Sequence, residues 1–230
     1  MMKIKKVAPA LIFLLMCILP ATILPAVSSL HLDFNNDTIG ALPAGWDSNR
    51  MDEAKHIYSV RSENGKKFLH ADARRVSVPI GREVMWNLEE FPLLRWEWRA
   101  NRFPDGSNER TKNGNDSVLG LYIVFGKWPL PHTIKYIWSD TLPVGETFDS
   151  PFSSRTKLVV LRSGRSQKGD WIEEERDVLA DYMRLFPERE RNPTAHGIGI
   201  LTDSDSTRSR AIGGYSDLRV IKERTAPATG

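Results

Sequence analysis

The sequence predicts a mainly β protein, an antiparallel β-sandwich with one short amphipathic helix after Asp170. Turn-forming residues recur along the chain, as in Glu63–Gly65 and Pro104–Gly106. The short segments between these turns are apolar or alternate apolar and polar side chains with the period of two typical of strands. Many short strands separated by turns are typical of a sandwich of antiparallel sheets. The predicted strands are Leu30–Phe34, His56–Ser62, Lys67–Ala73, Val76–Ile80, Leu93–Ala100, Val118–Phe125, Thr133–Ser139, Lys157–Arg162, His196–Thr202 and Ser216–Ile221.

The segment Leu94–Arg99 shows this alternation most clearly. It reads Leu-Arg-Trp-Glu-Trp-Arg, which places Trp96 and Trp98 on one face of a strand and the charged residues on the other. Because tryptophan is mostly buried in folded proteins, we expect both rings in the core and the charged side chains on the opposite, solvent-facing side.

The helix is predicted to begin at Asp170, which forms a capping pair with Glu173. Three consecutive glutamates starting at Glu173 favour the positive end of the helix dipole. Apolar residues then recur at helical spacing up to Pro187, where the helix must end. The apolar stripe consists of Val178, Leu179, Tyr182, Leu185 and Phe186.

Residues 1–28 are expected to form a secretory signal peptide. A basic start is followed by an apolar run, and Ala26–Ser28 fits a cleavage motif. Two alternatives remain: a membrane anchor, which the prolines in the apolar run disfavour, and a lipoprotein modified at Cys17. We therefore expect a periplasmic or secreted protein whose mature domain does not span the membrane.

Removal of this leader changes the charge of the chain. The whole sequence has 32 Lys+Arg against 29 Asp+Glu, and the leader holds three lysines and no acid, so 29 of each remain. A formally neutral domain gives no indication of nucleic-acid binding, which needs a clustered positive surface. The one cysteine, Cys17, lies in the leader. Residues 29–223 are expected to form a single sandwich domain, and residues 224–230 a flexible tail.

Several motifs from the middle to the end of the chain have the order and spacing of a known family. They are Trp96-x-Trp98-Arg99, Lys112-x-Gly114-Asn115-Asp116, Tyr136-x-Trp138, Ser163-Gly164, Arg176-Asp177-Val178, Thr202–Thr207 and Gly214–Asp217. Through them the chain resembles the bacterial proteins grouped as the domain of unknown function numbered 3047. The resemblance implies export and a jelly-roll-like fold related in shape to carbohydrate-binding modules, but no activity. The chain departs from the family at Asn115-Asp116, where an acidic pair is usual, and near Gly120, where an arginine is frequent.

Two sets of aspartates are candidate metal ligands. Asp203 and Asp205 alternate with hydroxyl residues in the loop after a predicted strand, and such oxygen ligands suit calcium. The same pattern also fits an Asx turn that closes a hairpin. Asp33 and Asp217 lie in the first and last strands, where carbohydrate modules of this shape often hold a structural calcium ion. A structural calcium is therefore the cofactor we consider.

Aromatic residues are candidates for contact with a glycan. Trp128 lies in a turn-like loop, which favours an exposed ring that stacks on a sugar. Tyr136 and Trp138 share one face of a predicted strand and fit a core position equally well. Together with Asp203 and Asp205, they form the predicted ligand-binding set.

Catalysis has weaker candidates. A glycoside hydrolase needs two carboxylates, and a lyase needs a base with a neutralising cation nearby. Glu97, Asp116 and Arg99 offer these groups, although alternating charge is also common on solvated strand faces. The sequence has no nucleophile elbow, zinc-protease motif or phosphate-binding glycine loop.

These observations favour a module that binds a glycan or another envelope component. The alternatives are a polysaccharide-active enzyme, by hydrolysis or elimination, and a structural envelope protein without a small ligand. The enzyme predicts that Asp116, Asp203 and Asp205 converge with an arginine in a cleft. The binding module predicts exposed coplanar aromatic rings without a paired acid and base.

Overall fold

The computed structural model describes residues 30–126 and 129–222, which form two six-stranded β-sheets that enclose one large apolar core. The predicted β-sandwich of jelly-roll-like form is confirmed. The predicted leader of residues 1–28, the tail of residues 224–230 and Trp128 lie outside the described residues.

The described residues contain twelve strands and two helices. The strands are β1 (Leu30–Leu32), β2 (Tyr58–Glu63), β3 (Lys66–Arg74), β4 (Ile80–Asn87), β5 (Leu93–Arg102), β6 (Leu119–Phe125), β7 (His132–Ser139), β8 (Thr147–Ser150), β9 (Ser153–Ser163), β10 (Ile172–Asp177), β11 (Thr194–Leu201) and β12 (Arg210–Ile221). The helices are α1 (Met51–Ile57) and α2 (Val178–Leu185).

Strands distant in sequence lie side by side in both sheets. Sheet 1 has the order β10-β5-β12-β3-β2, with β1 paired to β12. Sheet 2 has the order β4-β11-β6-β7-β9-β8. Every named strand pair is antiparallel except β7 with β9, which is parallel. The first and last described strands are neighbours, as the jelly-roll form implies.

The core forms where the inner faces of the two sheets meet. Trp96 and Trp98 of β5 are each 0% exposed and meet edge to face, with ring centroids 5.3 Å apart. Trp96 also stacks on Tyr136 of sheet 2 at 5.7 Å. The alternation in β5 therefore has the predicted consequence, because the indoles fill the interior while Arg95 and Glu97 lie on the outer face of sheet 1.

The predicted helix is present, but it begins later than the sequence indicates. The six residues before it form strand β10, and Asp177 caps α2 by accepting the backbone N–H of Ala180 at 2.8 Å. In the strand, the glutamates of β10 contact partners on β5 that they would not reach from a helix. Glu175 pairs with Arg95 at 2.5 Å, and the buried Glu174 accepts the indole N–H of Trp98 at 3.1 Å. No helix in the described ranges has the length and apolar character needed to cross a membrane.

Two further local expectations are corrected. Residues 76–79 form no strand, because carbonyl groups there serve side chains instead: Ser77 accepts from Arg50 at 3.0 Å and Val78 from Tyr58 at 2.9 Å. Strand β4 begins only at Ile80. Helix α1 was not predicted, and it delays the start of β2 to Tyr58.

Candidate functional site

Three aspartates meet where β11 ends and β6 begins. Asp116 precedes β6, whereas Asp203 and Asp205 follow β11, which pairs antiparallel with β6. The two loops therefore leave sheet 2 side by side. One carboxylate oxygen from each aspartate lies within 4.8 Å of the others, so the set can hold a metal ion. Asp116 and Asp203 are buried and Asp205 is exposed. We call this set the acidic triad.

Hydrogen bonds from backbone amides hold the two loops of the acidic triad together. The Asp116 carboxylate accepts the N–H groups of Ser206 at 3.2 Å and Thr207 at 2.7 Å. The Asp203 carboxylate accepts the N–H of Ser117 at 2.7 Å. Each buried carboxylate thus fixes the opposite loop, in addition to any role as a ligand.

A buried lysine completes this site. The Nζ of Lys135, on β7, lies 4.0 Å from an Asp203 carboxylate oxygen and 5.2 Å from the ring centroid of Tyr122. Its side chain crosses Gly120, where an added Cβ would lie 2.8 Å from the Lys135 Cε. The enzyme hypothesis expected an arginine beside the triad, but the cation found here is a lysine from the neighbouring strand.

The proton affinities of these groups reflect their burial. Burial raises the pKa of the Asp203 carboxyl to about 7, against the opposing attraction of Lys135. Partial desolvation of the Asp205 carboxyl by the surrounding loop, with the nearby Asp116 carboxylate, also raises the pKa of Asp205, although the residue as a whole is exposed. Burial alone would lower the pKa of the Lys135 ammonium, but Asp203 and Tyr122 outweigh it and the pKa is raised. Asp203 and Asp205 therefore hold protons more tightly than solvated aspartates do.

A second polar site lies on the outer face of sheet 1, around a partly exposed tryptophan. Trp171 meets Phe68 edge to face at 5.2 Å. Both rings contact β12 at Gly214, where a Cβ would lie 3.0 Å from Trp171 and 3.2 Å from Phe68. The Arg99 guanidinium lies 4.6 Å and the Lys66 ammonium 5.5 Å from the indole centroid. We call these five residues the Trp171 patch.

The predicted catalytic residues are not brought together. Glu97 forms an ion pair with Lys66, and Arg99 forms one with Glu63 at 2.6 Å, both on the outer face of sheet 1. Asp116 belongs to the acidic triad at the end of sheet 2. Glu97 and Arg99 therefore lie on a different sheet from the loop of Asp116, and a catalytic role for the three residues stays a prediction.

Two predicted ligand-binding aromatics are core residues in the structure. Tyr136 is 0% and Trp138 is 1% exposed. The Tyr136 hydroxyl donates to Asp181 at 2.9 Å, and the Trp138 indole N–H donates to the Gly164 carbonyl at 3.0 Å. Because both rings face sheet 1 across the core, neither presents a surface to a sugar.

Asp33 and Asp217 both lie beside His31, and they are not part of a three-ligand metal cluster among the described residues. His31 lies between them, 2.6 Å from the Asp217 carboxylate and 4.0 Å from that of Asp33. Arg219 also donates to Asp217 at 2.8 Å. Cationic and hydrogen-bonding side chains thus occupy the oxygens that calcium would need.

Sequence reasoning missed three important residues. Lys135 interrupts an otherwise largely apolar strand, and a lone charge in such a strand is a signal for a buried partner. Trp171 precedes a strand instead of lying within one, which is compatible with a partly exposed ring. The role of Gly120 has no signal in the sequence, because the groups that leave no room for a Cβ there, the Lys135 side chain and the Leu201 carbonyl, come from neighbouring strands.

The fold and the two sites define a jelly-roll-like β-sandwich with an acidic triad at one end and an aromatic, charged patch on one outer face. The sequence matches the family described as "Protein of unknown function (DUF3047)" over residues 44–219. The chain belongs to this family. No curated protein sequence matches the chain.

Solved structures with similar architecture include two carbohydrate-binding modules. The family 11 module of the cellulase Lic26A-Cel5E from Clostridium thermocellum is 8% identical, with a TM-score of 0.43, over 87% of this chain and 98% of that module. The module CBM27-1 of Caldicellulosiruptor saccharolyticus, in complex with mannohexaose, is 11% identical, with a TM-score of 0.45, over 87% and 100%. A cellulase derived from Cel12A of Rhodothermus marinus is 10% identical, with a TM-score of 0.39, over 84% and 100%. The likeness is one of architecture alone.

Proposed function

We propose that this protein is an exported module that binds a glycan of the cell envelope, in the periplasm or outside the cell, through the Trp171 patch. The supporting observation is the partly exposed indole of Trp171 among charged side chains on the outer face of sheet 1. A sugar offers apolar C–H groups to an aromatic ring and hydroxyl groups to charged side chains. A surface with both kinds of group matches that chemistry.

Binding fits the patch better than catalysis does. The carboxylates next to the patch form ion pairs with its cations, Glu97 with Lys66 and Glu63 with Arg99. A general acid has to stay protonated near neutral pH, and the Arg99 guanidinium instead lowers the pKa of the Glu63 carboxyl. These ion pairs can still accept and donate hydrogen bonds to hydroxyl groups.

The experiment is a glycan array combined with an assay for released reducing ends, on the purified protein and its Trp171→Ala variant. We expect binding without product release, and a loss of at least about tenfold in affinity in the variant, as for an aromatic at the centre of an interface. Phe152→Ala, on another exposed aromatic side chain, is the matched control. Product release would support the enzyme, and the absence of any binding would support the structural alternative.

We also propose that the acidic triad binds calcium as a structural ion. Three carboxylates and the Lys135 ammonium carry a formal charge of −3 + 1 = −2, which one divalent cation neutralises. The two buried aspartates already hold the loops in register, so an ion here would stabilise the connection between β11 and β12.

Thermal melting in calcium and in chelator tests this second proposal. We expect calcium to raise the melting midpoint, because a ligand that binds only the folded state stabilises it. Asp205→Asn removes the exposed carboxylate without disturbing the buried ones and is expected to abolish the calcium effect. Asp149→Asn, on an exposed strand, is the control. An unchanged midpoint in calcium would remove the proposal.

A further inference from the structure

An open pocket of about 500 Å³ at one end of sheet 1 is lined mostly by arginine. Its charged lining comprises Arg74, Arg75, Arg102, Arg208, Arg210 and Asp105. Five arginines and one aspartate give the pocket a large excess of positive charge, whereas the domain as a whole is formally neutral. We call this site the arginine pocket.

The carboxylates near the arginine pocket do not neutralise all of its arginines. Asp72 accepts from Arg210 at 2.7 Å and from Arg74 at 3.1 Å, which orients both guanidinium groups but offsets one charge. Arg102 approaches Asp105 only at 3.9 Å. With both aspartates counted, the site carries a formal charge of +5 − 2 = +3.

The two remaining guanidinium groups, those of Arg75 and Arg208, make no hydrogen bond or ion pair within the part of the chain that the structure describes. Both residues have left-handed backbone conformations, with φ of 56° and 54°. Such conformations cost about 1 kcal/mol or more in residues other than glycine and recur at binding sites. Here they are fixed by hydrogen bonds.

Those hydrogen bonds connect the arginine pocket to the loop that carries Asp203 and Asp205 of the acidic triad. The Arg75 N–H donates to the Ser209 carbonyl at 3.0 Å and lies 2.9 Å from the Ser204 hydroxyl. The Arg208 N–H donates to the Asp205 carbonyl at 3.2 Å. The loop that carries Asp203 and Asp205 on one side therefore presents Arg208 to the pocket on the other.

We infer that the arginine pocket binds an oxyanion group, a phosphate, sulfate or carboxylate, carried on a polysaccharide. Guanidinium groups donate paired hydrogen bonds to such oxygens, and the pocket offers two, those of Arg75 and Arg208, without partners in the described part of the chain. Arg74 and Arg210 lie on β3 and β12, the strands that also carry Phe68 and Gly214 of the Trp171 patch. The inference rests on the proposed function for the nature of the carrier, and it makes that carrier an acidic glycan.

The test measures binding of the purified protein by calorimetry to dextran sulfate, polygalacturonate, a phosphorylated dextran, neutral dextran and duplex DNA. The double variant Arg75→Gln/Arg208→Gln removes the two unpartnered guanidinium groups. Arg155→Gln/Arg191→Gln, on exposed residues elsewhere, removes the same charge as a matched control. Melting curves verify that every variant is folded.

We expect tight binding to at least one anionic dextran or to polygalacturonate, and the strongest arm identifies the oxyanion. The pocket variant should lose about a hundredfold in affinity, about tenfold for each charged hydrogen-bonding group, and the control less than about threefold. Added salt should weaken binding. Equal losses in both variants, or the absence of binding to every anionic polysaccharide, would overturn the inference.

The outcomes also separate this inference from the proposed function. Duplex DNA bound more tightly than any polysaccharide, with the same dependence on Arg75 and Arg208, would overturn the glycan carrier. If Trp171→Ala leaves all glycan binding intact while the pocket variant loses it, the proposed binding at the Trp171 patch is wrong and the inferred binding in the arginine pocket is supported. If only Trp171→Ala reduces binding, the proposed binding at the Trp171 patch is supported and the inferred binding in the arginine pocket is wrong.

Discussion

The most unusual residue in the structure is Lys135, a buried cation on a strand that is otherwise largely apolar. Its side chain reaches Asp203 over Gly120, in a place where neither charge is solvated by bulk water. A buried ion pair is a weak contributor to stability as a pair, but removal of one partner leaves the other charge uncompensated. The pairing of Lys135 with Asp203 thus helps to hold the loops of the acidic triad in place.

Lys135→Met is therefore expected to destabilise the protein by up to about 3–5 kcal/mol at neutral pH, as measured by urea unfolding, and proton uptake by Asp203, whose pKa is already about 7, offsets part of this loss. The substitution keeps much of the side-chain volume and removes the charge. Lys157→Met is the matched comparison, because Lys157 pairs with Asp149 on a partly exposed strand and should cost less than about 1 kcal/mol. Similar losses in the two variants would show that Asp203 does not depend on Lys135.

At the scale of elements, the transition from β10 to α2 decides how sheet 1 ends. Glutamates that favour a helix N-terminus in isolation are held in a strand by Arg95, Arg162 and Trp98 across the sheet and core. The helix then packs on sheet 2 through an aromatic cluster. His132 of β7 stacks on Phe125, meets Phe186 edge to face, and lies 3.2 Å from the Tyr182 hydroxyl.

This packing predicts a pH dependence of stability. Burial, with Arg189 and His196 nearby, lowers the pKa of His132 to about 4 from 6.5. Between these values the His132 of the unfolded chain binds a proton that the folded chain does not, so the contribution of His132 to stability falls as pH decreases from about 6.5 to 4, whereas Asp203, whose pKa is raised to about 7, contributes in the opposite sense. His132 contributes a loss of up to about 3 kcal/mol over this range, since each pKa unit corresponds to about 1.4 kcal/mol.

Urea unfolding at pH 7 and pH 4.5 measures this dependence. His132→Phe keeps an aromatic ring in the cluster and should remove the contribution of His132, so that between pH 7 and pH 4.5 the change in stability of the variant is more favourable than that of the parent protein. His70, whose pKa burial also lowers to about 4, contributes in the same sense as His132. His56→Phe, on the exposed side of α1, is the matched control. An unaltered profile in His132→Phe would contradict the assignment.

At the scale of the whole molecule, both sheets share one core. Sheet 1 contributes the Trp96 and Trp98 rings, and sheet 2 contributes Tyr136 and Trp138. The sheets pack tightly at Gly213 of β12, where an added Cβ would lie 2.5 Å from the Leu119 side chain of β6. The sheets are therefore expected to unfold together.

Gly213→Ala tests this cooperativity. The new methyl group would force the sheets apart locally, and we expect a cost of about 1–3 kcal/mol, as in other overpacked cores. Tryptophan fluorescence, which reports on the core, and far-UV circular dichroism, which reports on both sheets, should give coincident transitions in the variant and the parent protein. Separate transitions would mean that one sheet is stable without the other.

Prediction from the sequence worked best where the signal was local. The alternation around Trp96 and Trp98 defined a strand, its buried face and its charged face, because side chains of a strand alternate by geometry. It failed where partners came from elsewhere: β10 is a strand because Arg95 and Trp98 bind its glutamates. The same reason explains Tyr136, whose burial depends on the sheet packed above it.

By itself, the sequence determined the fold class, the core tryptophans and the family resemblance, since these follow from residue order and periodicity. It also pointed to Asp203 and Asp205 as one cluster, because they lie two residues apart. The enzyme hypothesis also grouped Asp116 with them, and the structure brings the three together. Only the tertiary structure added Lys135 to that cluster, separated Glu97 and Arg99 from it, and assembled the Trp171 patch and the arginine pocket. These groups come from strands that are distant in the chain and neighbours in the sheets, and pairing between such strands is a property of the whole fold.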